Sequence, residues 1–307
     1  MVSVREVVSA NAALKSSHEQ LTAVFTGATK GIGLATLQAF AKHVPKPTAI
    51  IVGRSQKSFE HDLQKLKSIN PNGTFIFIEG DVSSMKKIDT LTPIIKTHLN
   101  GAKIDLLYMS QGYLPVYGRQ ENAEGLDNGN AVRYYGRVRL AQNLLPLMSK
   151  TGRMISIMAG TQEGKLIEHD LELKQNFAFV QALTQAATMQ TLSWDYLAAQ
   201  NPEMGFVHVY PGVVNTGLLG RSATGLLSWF ITWFVEPVVS LFILQPKDVG
   251  ERMLYYGTTA EFGKGSWALD DKGVPQETAQ LKEYRQTGWA EKVWEHTQKT
   301  FEEALSR

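Results

Sequence analysis

The feature that most restricts the fold is an alternation of short, β-rich apolar runs with longer amphipathic stretches. The runs cover residues 21–27 (LTAVFTG), 48–53 (TAIIVG), 74–80 (TFIFIEG), 103–110 (KIDLLYMS), 152–160 (GRMISIMAG), 205–212 (GFVHVYPG) and 265–270 (GSWALD). Most are near-continuous in apolar residues, the pattern of strands covered by helices on both faces. The stretches between them are long enough for crossover helices, so the strands run parallel. The pattern predicts an α/β fold: a Rossmann-type doubly wound parallel sheet of about seven strands with helices on both faces. No repeat or long linker divides the chain. The expectation is a single domain over 1–307 with a C-terminal helical extension at about 276–305, its start and any break left open.

The first run leads directly into GATKGIG, in which Gly27, Gly31 and Gly33 follow a Gly-x3-Gly-x-Gly spacing. A strand-to-helix turn must be tight, and its backbone must approach a pyrophosphate without Cβ atoms in the way. The helix that starts near Ile32 then directs free N–H groups and a partial positive charge at the phosphates. Leu34, Leu37 and Phe40 give that helix its apolar face. The second strand ends in Gly53-Arg54-Ser55, with no acid to accept bonds from ribose hydroxyls. The guanidinium of Arg54 suits a 2′-phosphate, and Lys30 adds a second cation within the turn, so the pair favours NADP(H) over NAD(H).

Composition limits the partners. A net charge of +2, with Lys and Arg interleaved among acids, argues against a nucleic-acid partner. The absence of cysteine excludes disulfides, thiolate metal ligands and cysteine nucleophiles, and the seven His show no ligand-type spacing. The N-terminus carries no apolar run of signal-peptide length, which makes a cytoplasmic location the default. An apolar stretch at 226–244 approaches membrane-spanning length, but Glu236 and Pro237 interrupt it. It reads as two short apolar segments with a bend, within a lid-like insert at about 217–246. A small hydrophobic metabolite is the expected partner. Peripheral membrane contact and a homo-oligomer stay open.

At these residues the chain resembles the short-chain dehydrogenase/reductase family over nearly its whole length. TGATKGIG resembles the family's cofactor turn, and the likeness implies contacts from Gly27, Thr29, Lys30, Gly31, Ile32 and Gly33. Arg54 stands where NADP-preferring members carry arginine. Asp81-Val82 match the pair lying along the adenine. Ser110-Gln111-Gly112 partly match an Asn-Asn-Ala-Gly run, implying contacts from Gln111 and Gly112. Pro211-Gly212 with Thr216 match the Pro-Gly-x3-Thr segment that closes around the nicotinamide amide. The RYY segment after strand four, the VSVREV opening and the apolar insert also resemble a divergent branch associated with fungal secondary metabolism.

The family's catalytic residues do not carry over. Alignment places Phe177 at the tyrosine position, Gln181 at the lysine position, Ala159 at the serine position and Arg133 at the asparagine position. A phenyl ring donates no proton, and a neutral amide that still reaches a ribose hydroxyl acidifies nothing. Other candidates lie in loops at the strands' carboxyl ends: Tyr113 and Tyr117 after strand four, Arg133, Tyr134 and Tyr135 on the next helix, and Glu163, Lys165, Glu168, His169 and Asp170 after strand five. Arg133, Tyr113 and Glu163 lead as catalytic candidates. Loop tyrosines are more often packing residues, and EGKLIEHD reads more simply as a solvated loop. Three functions remain: an NADP(H) oxidoreductase with a non-standard proton donor, slightly ahead; a cyclase, isomerase or dehydratase on the same fold; and a binding protein without catalysis.

Overall fold

The computed structural model describes residues 2–114, 117–214 and 244–307. Its centre is a seven-stranded parallel sheet of β1 (Gln20–Thr26), β2 (Lys46–Gly53), β3 (Thr74–Glu79), β4 (Ile104–Met109), β5 (Met148–Ile157), β6 (Gly205–Val209) and β7 (Gly265–Leu269). The strand order is β3-β2-β1-β4-β5-β6-β7. The winding reverses between β1 and β4, which opens a crevice at their carboxyl ends, where ligands sit in this architecture. Each apolar run of the sequence forms one of these strands.

Alternation along the strands supplies two cores. On β1, Val24 faces one layer while Ala23 and Phe25 face the other. One layer holds α1 (Val4–Ser17), α2 (Gly31–His43), α3 (Gln56–Ile69) and α7 (Pro246–Thr258), with Leu14, Phe40, Phe59 and Leu254 packed inward. The other holds α4 (Met85–Leu99), α5, α6 (Phe179–Gln200), α8 (Ala279–Gln286) and α9 (Trp289–Ser306), with Ile88, Val138, Leu192 and Phe301 inward. Helix α5 has three parts: a short turn at Asn128–Asn130, a π-helical turn at Ala131–Tyr135 and a regular stretch at Gly136–Leu144.

Helix α1 is not among the sequence expectations. Its signal is a capping box: the Ser3 hydroxyl accepts from the Glu6 amide, and the Glu6 carboxylate accepts from the Ser3 amide. The C-terminal extension is two helices, because Gly288 adopts a left-handed φ of 71° that ends one and starts the other. Pro246, placed in the insert by sequence, belongs to the first turn of α7, where a missing N–H costs nothing. Residues 217–243 of that insert, and Thr216, lie outside the described residues. Leu244 forms an isolated parallel bridge with Val214. Among the described residues no helix is long and apolar enough to cross a membrane.

Candidate active site

The β1–α2 turn is shaped by what lies against it. Gly27 has a φ of 72°, and a Cβ there would sit 2.2 Å from the Gln111 nitrogen. A Cβ on Gly33 would meet the Ser110 hydroxyl oxygen at 2.1 Å. These two glycines therefore let the β4–α5 loop press onto the turn, a demand separate from phosphate approach. Gly31 has a φ of 59°, which turns the chain into α2. The loop is fastened by Thr26, whose carbonyl accepts from the Ser110 amide and whose hydroxyl donates to Gln111 Oε1 at 2.7 Å. Helix α2 has Lys30 at its N-cap, no side-chain cap and no acid in its first turn. Helices α1, α3, α4 and α8 are each capped by a Ser or Thr hydroxyl. The first amides of α2 thus remain available to an anion.

Around this tip, Lys30 and Arg54 are exposed, Thr29 and Ile32 are half-buried, and Thr29 packs against Gly53 at the end of β2. Glu79, paired in register with Gly53, accepts from the Gln56 amide at the start of α3. Asp81 is tied by the amide and hydroxyl of Ser83, with Lys87 at 3.6 Å. Burial opposes its charge, but the Ser83 bonds and the cations Lys87 and Arg54 outweigh burial and hold its carboxyl below the usual range. Val82 presents its carbonyl to Gly136, where a Cβ would sit 2.1 Å away. Gly112 is exposed. Pro211 and Gly212 leave β6 toward the same edge, Gly212 with a φ of 79°.

Helix α5 buries two arginines, Arg133 in its π-helical turn and Arg137 in the regular stretch that follows. Arg137 is fully buried. Its Nη1 donates to Met109 O and to Ser156 Oγ (2.9 Å), and its Nη2 donates to Gln111 O and to Ile157 O (3.2 Å). Among the described residues Arg133 makes only long bonds, from Nε to Gly129 O and from Nη2 to Asn130 Oδ1, both 3.3 Å. Its Nη1 is buried and has no partner among the described residues. Burial, eased by Asp127 and Tyr113, brings Arg133 down to about 10; burial and the like charge of Arg133 bring Arg137 down to about 9. Both remain cationic at neutral pH.

Glu163 closes a second buried network. The Ala159 amide donates to His208 Nε2 (3.2 Å), so the neutral ring carries its hydrogen on Nδ1. Nδ1 lies 2.7 Å from Thr191 Oγ1, and that hydroxyl donates to Glu163 Oε1 at 2.6 Å, in preference to Ala187 O at 3.3 Å. The Thr161 amide donates to the same Oε1. Oε2 is buried without a partner among the described residues. A proton on this carboxyl therefore sits on Oε2. Burial pushes Glu163 above the ordinary carboxylate range, against the bonds from Thr191 and the backbone. Burial and the Arg137 charge pull His208 down to about 3. Thr161, a β-branched residue at a φ of 69°, bears strain of about 1–3 kcal/mol to present its amide.

The structure sorts the remaining sequence candidates. Tyr134 and Tyr135 are core residues, the first bonded to Ser193 and Thr297 and the second to His296. Asp170 organises its loop by accepting from the amides of Lys174, Gln175 and Asn176. EGKLIEHD is thus not simply a solvated loop: Glu163, Leu166 and Asp170 are buried, while Lys165, Glu168 and His169 are exposed. Tyr113 is half-buried and Tyr117 exposed. Phe177 is half-buried just before α6, and Gln181 donates to Lys165 O and Gln185 Oε1. Arg137, Thr191 and His208 are absent from the sequence reading. The signal for His208 was a lone imidazole in an otherwise apolar strand; Arg137 and Thr191 left none.

Geometry defines the class: a doubly wound α/β protein with an uncapped, glycine-fronted helix facing its switch-point crevice, as in dinucleotide-binding oxidoreductases. A family model described as short chain dehydrogenase matches residues 21–168. Oxidoreductase AN1596 of Emericella nidulans is 35% identical over 336 aligned positions, covering 100% of both chains. Oxidoreductase andH of Emericella variicolor is 30% identical, covering 98% of this chain and 97% of its own. The alcohol dehydrogenase of the archaeon Thermococcus sibiricus, solved with 5-hydroxy-NADP, has the same fold: TM-score 0.59 at 19% identity, covering 85% of this chain and 99% of that one. The chain belongs to the short-chain dehydrogenase/reductase family.

Proposed function

We propose that the protein is an NADP(H)-dependent oxidoreductase acting on a bulky apolar metabolite in natural-product biosynthesis, with a proton donor unlike the family's tyrosine. The observation that carries the cofactor assignment is the uncapped tip of α2 with Lys30 and Arg54 exposed beside it. The full-length likeness to two fungal oxidoreductases supports the redox assignment and is consistent with secondary metabolism. The bound dinucleotide supplies or accepts the hydride. The amides of the turn would hold its pyrophosphate, Arg54 and Lys30 its 2′-phosphate, and Asp81 its adenine. Arg133, with Tyr113 beside it, steadies negative charge on the substrate oxygen. Glu163, its carboxyl pushed above the ordinary range by burial, is the candidate proton source, through the Oε2 that has no partner among the described residues.

Arg54→Ala should weaken NADPH binding by about 10–100-fold and NADH binding little, because the lost bonds are to the phosphate alone. Fluorescence titration with both nucleotides measures this, and equal losses would remove the NADP assignment. Glu163→Gln keeps the shape but carries no transferable proton. It should lower kcat by about 100-fold or more with unchanged NADPH affinity. An unchanged kcat would move the proton source elsewhere. Loss of NADPH absorbance in step with product separates reduction from cyclisation or isomerisation.

A further inference from the structure

We infer that Arg133 is the receptor for a planar, two-oxygen anion on the substrate, either a carboxylate or the enolate of a 1,3-dicarbonyl. The inference rests on the proposed function only for the position of the reacting centre. Arg133 is 3% exposed, yet among the described residues its bonds are long and reach only neutral acceptors in its own helix turn. Nη1 has no partner among the described residues. The neighbouring cation, Arg137, spends both Nη groups on carbonyls of the β4 and β5 ends and on the Ser156 hydroxyl, its Nε is buried without a partner among the described residues, and it offers no compensation. The acid in electrostatic range is Asp127, whose two oxygens accept from the Gln120 and Asn130 amides, and it makes no ion pair with Arg133. Among the described residues Arg133 thus has an acid in electrostatic range but none in contact. A buried guanidinium without an acid is costly unless something else supplies the negative charge. Tyr113, half-buried in the β4–α5 loop, acts electrostatically on Arg133. The forked donors match two coplanar oxygens better than a point anion.

The test is calorimetry on the full chain, with and without saturating NADPH. The probes are benzoate, dimedone (an enolate at neutral pH) and the neutral benzamide, against wild type, Arg133→Lys and Arg133→Met. Benzoate or dimedone should bind more tightly than benzamide, and the one that does identifies the oxygen source. Arg133→Met should weaken that binding by about 30-fold or more, with Arg133→Lys between. Thermal unfolding adds an independent readout: ligand-free Arg133→Met should melt no lower than wild type, because it removes an unpaired buried charge. Anion binding that is no tighter than benzamide, or is unchanged in Arg133→Met, overturns the inference. So does a lower melting temperature or failure of Arg133→Met to fold, since either assigns Arg133 to the scaffold. Failure of wild type to bind NADPH would instead sink the oxidoreductase reading, with the anion result still legible on the nucleotide-free protein.

Discussion

Arg137→Met should lower stability by about 3–5 kcal/mol, the opposite of the effect expected one helical turn earlier at Arg133. Both side chains are buried cations on α5, so charge alone predicts the same response. Their acceptors decide the sign. Removing Arg137 strands the carbonyls of Met109, Gln111 and Ile157 and the Ser156 hydroxyl in a dry interior. Each stranded acceptor costs about 1–3 kcal/mol, more in sum than the relief of burying one charge fewer. These carbonyls also mark the ends of β4 and β5, so the lost clamp loosens the edge that carries Gln111 and Ala159. Urea unfolding with an unchanged m-value would register the effect as a lower midpoint. A midpoint equal to wild type would show that the bonds contribute nothing net.

Gly27→Ala should abolish measurable NADP(H) binding in protein that still folds, a loss of more than about 100-fold. Two costs add. A φ of 72° places an L-residue in the left-handed region, at about 1–2 kcal/mol. The new methyl also meets backbone, 2.2 Å from the Gln111 nitrogen and 2.5 Å from the Ser110 carbonyl carbon, so no rotamer relieves it. The β4–α5 loop must retreat, which breaks the Thr26–Gln111 bond and misaligns the tip of α2. Gly101→Ala is the control: its φ of 85° carries similar strain, with no atom within 4 Å of the added carbon. NADPH titration of both variants separates strain from collision. Equal and near-native affinities would show that the turn tolerates a side chain.

The seven strands were readable because each is a contiguous apolar segment bounded by turn residues, and helices on both faces leave no polar side to blur the signal. The cofactor turn was readable for a similar reason, since its glycines answer a local geometric demand. Helix α1 was written in Ser3 and Glu6 but has little apolar pattern. The break at Gly288 needed only one glycine, which a helical pattern absorbs without trace. The catalytic candidates were harder. Tyr134 and Tyr135 stand beside Arg133 in the chain, but the π-helical turn that directs all three inward has no signature in residue type.

Sequence alone determined the strand count, the parallel winding, the glycine turn and the cations beside it. Those properties depend on neighbours in the chain, where periodicity and residue type act over a few positions. Tertiary structure alone decided that Arg137 is clamped while Arg133 has no acid bonded to it among the described residues, and that Glu163 receives Thr191 and, through it, His208. Such partners are joined by packing rather than by spacing. Desolvation, which sets the charge and proton position of each group, exists only once the layers have closed over them.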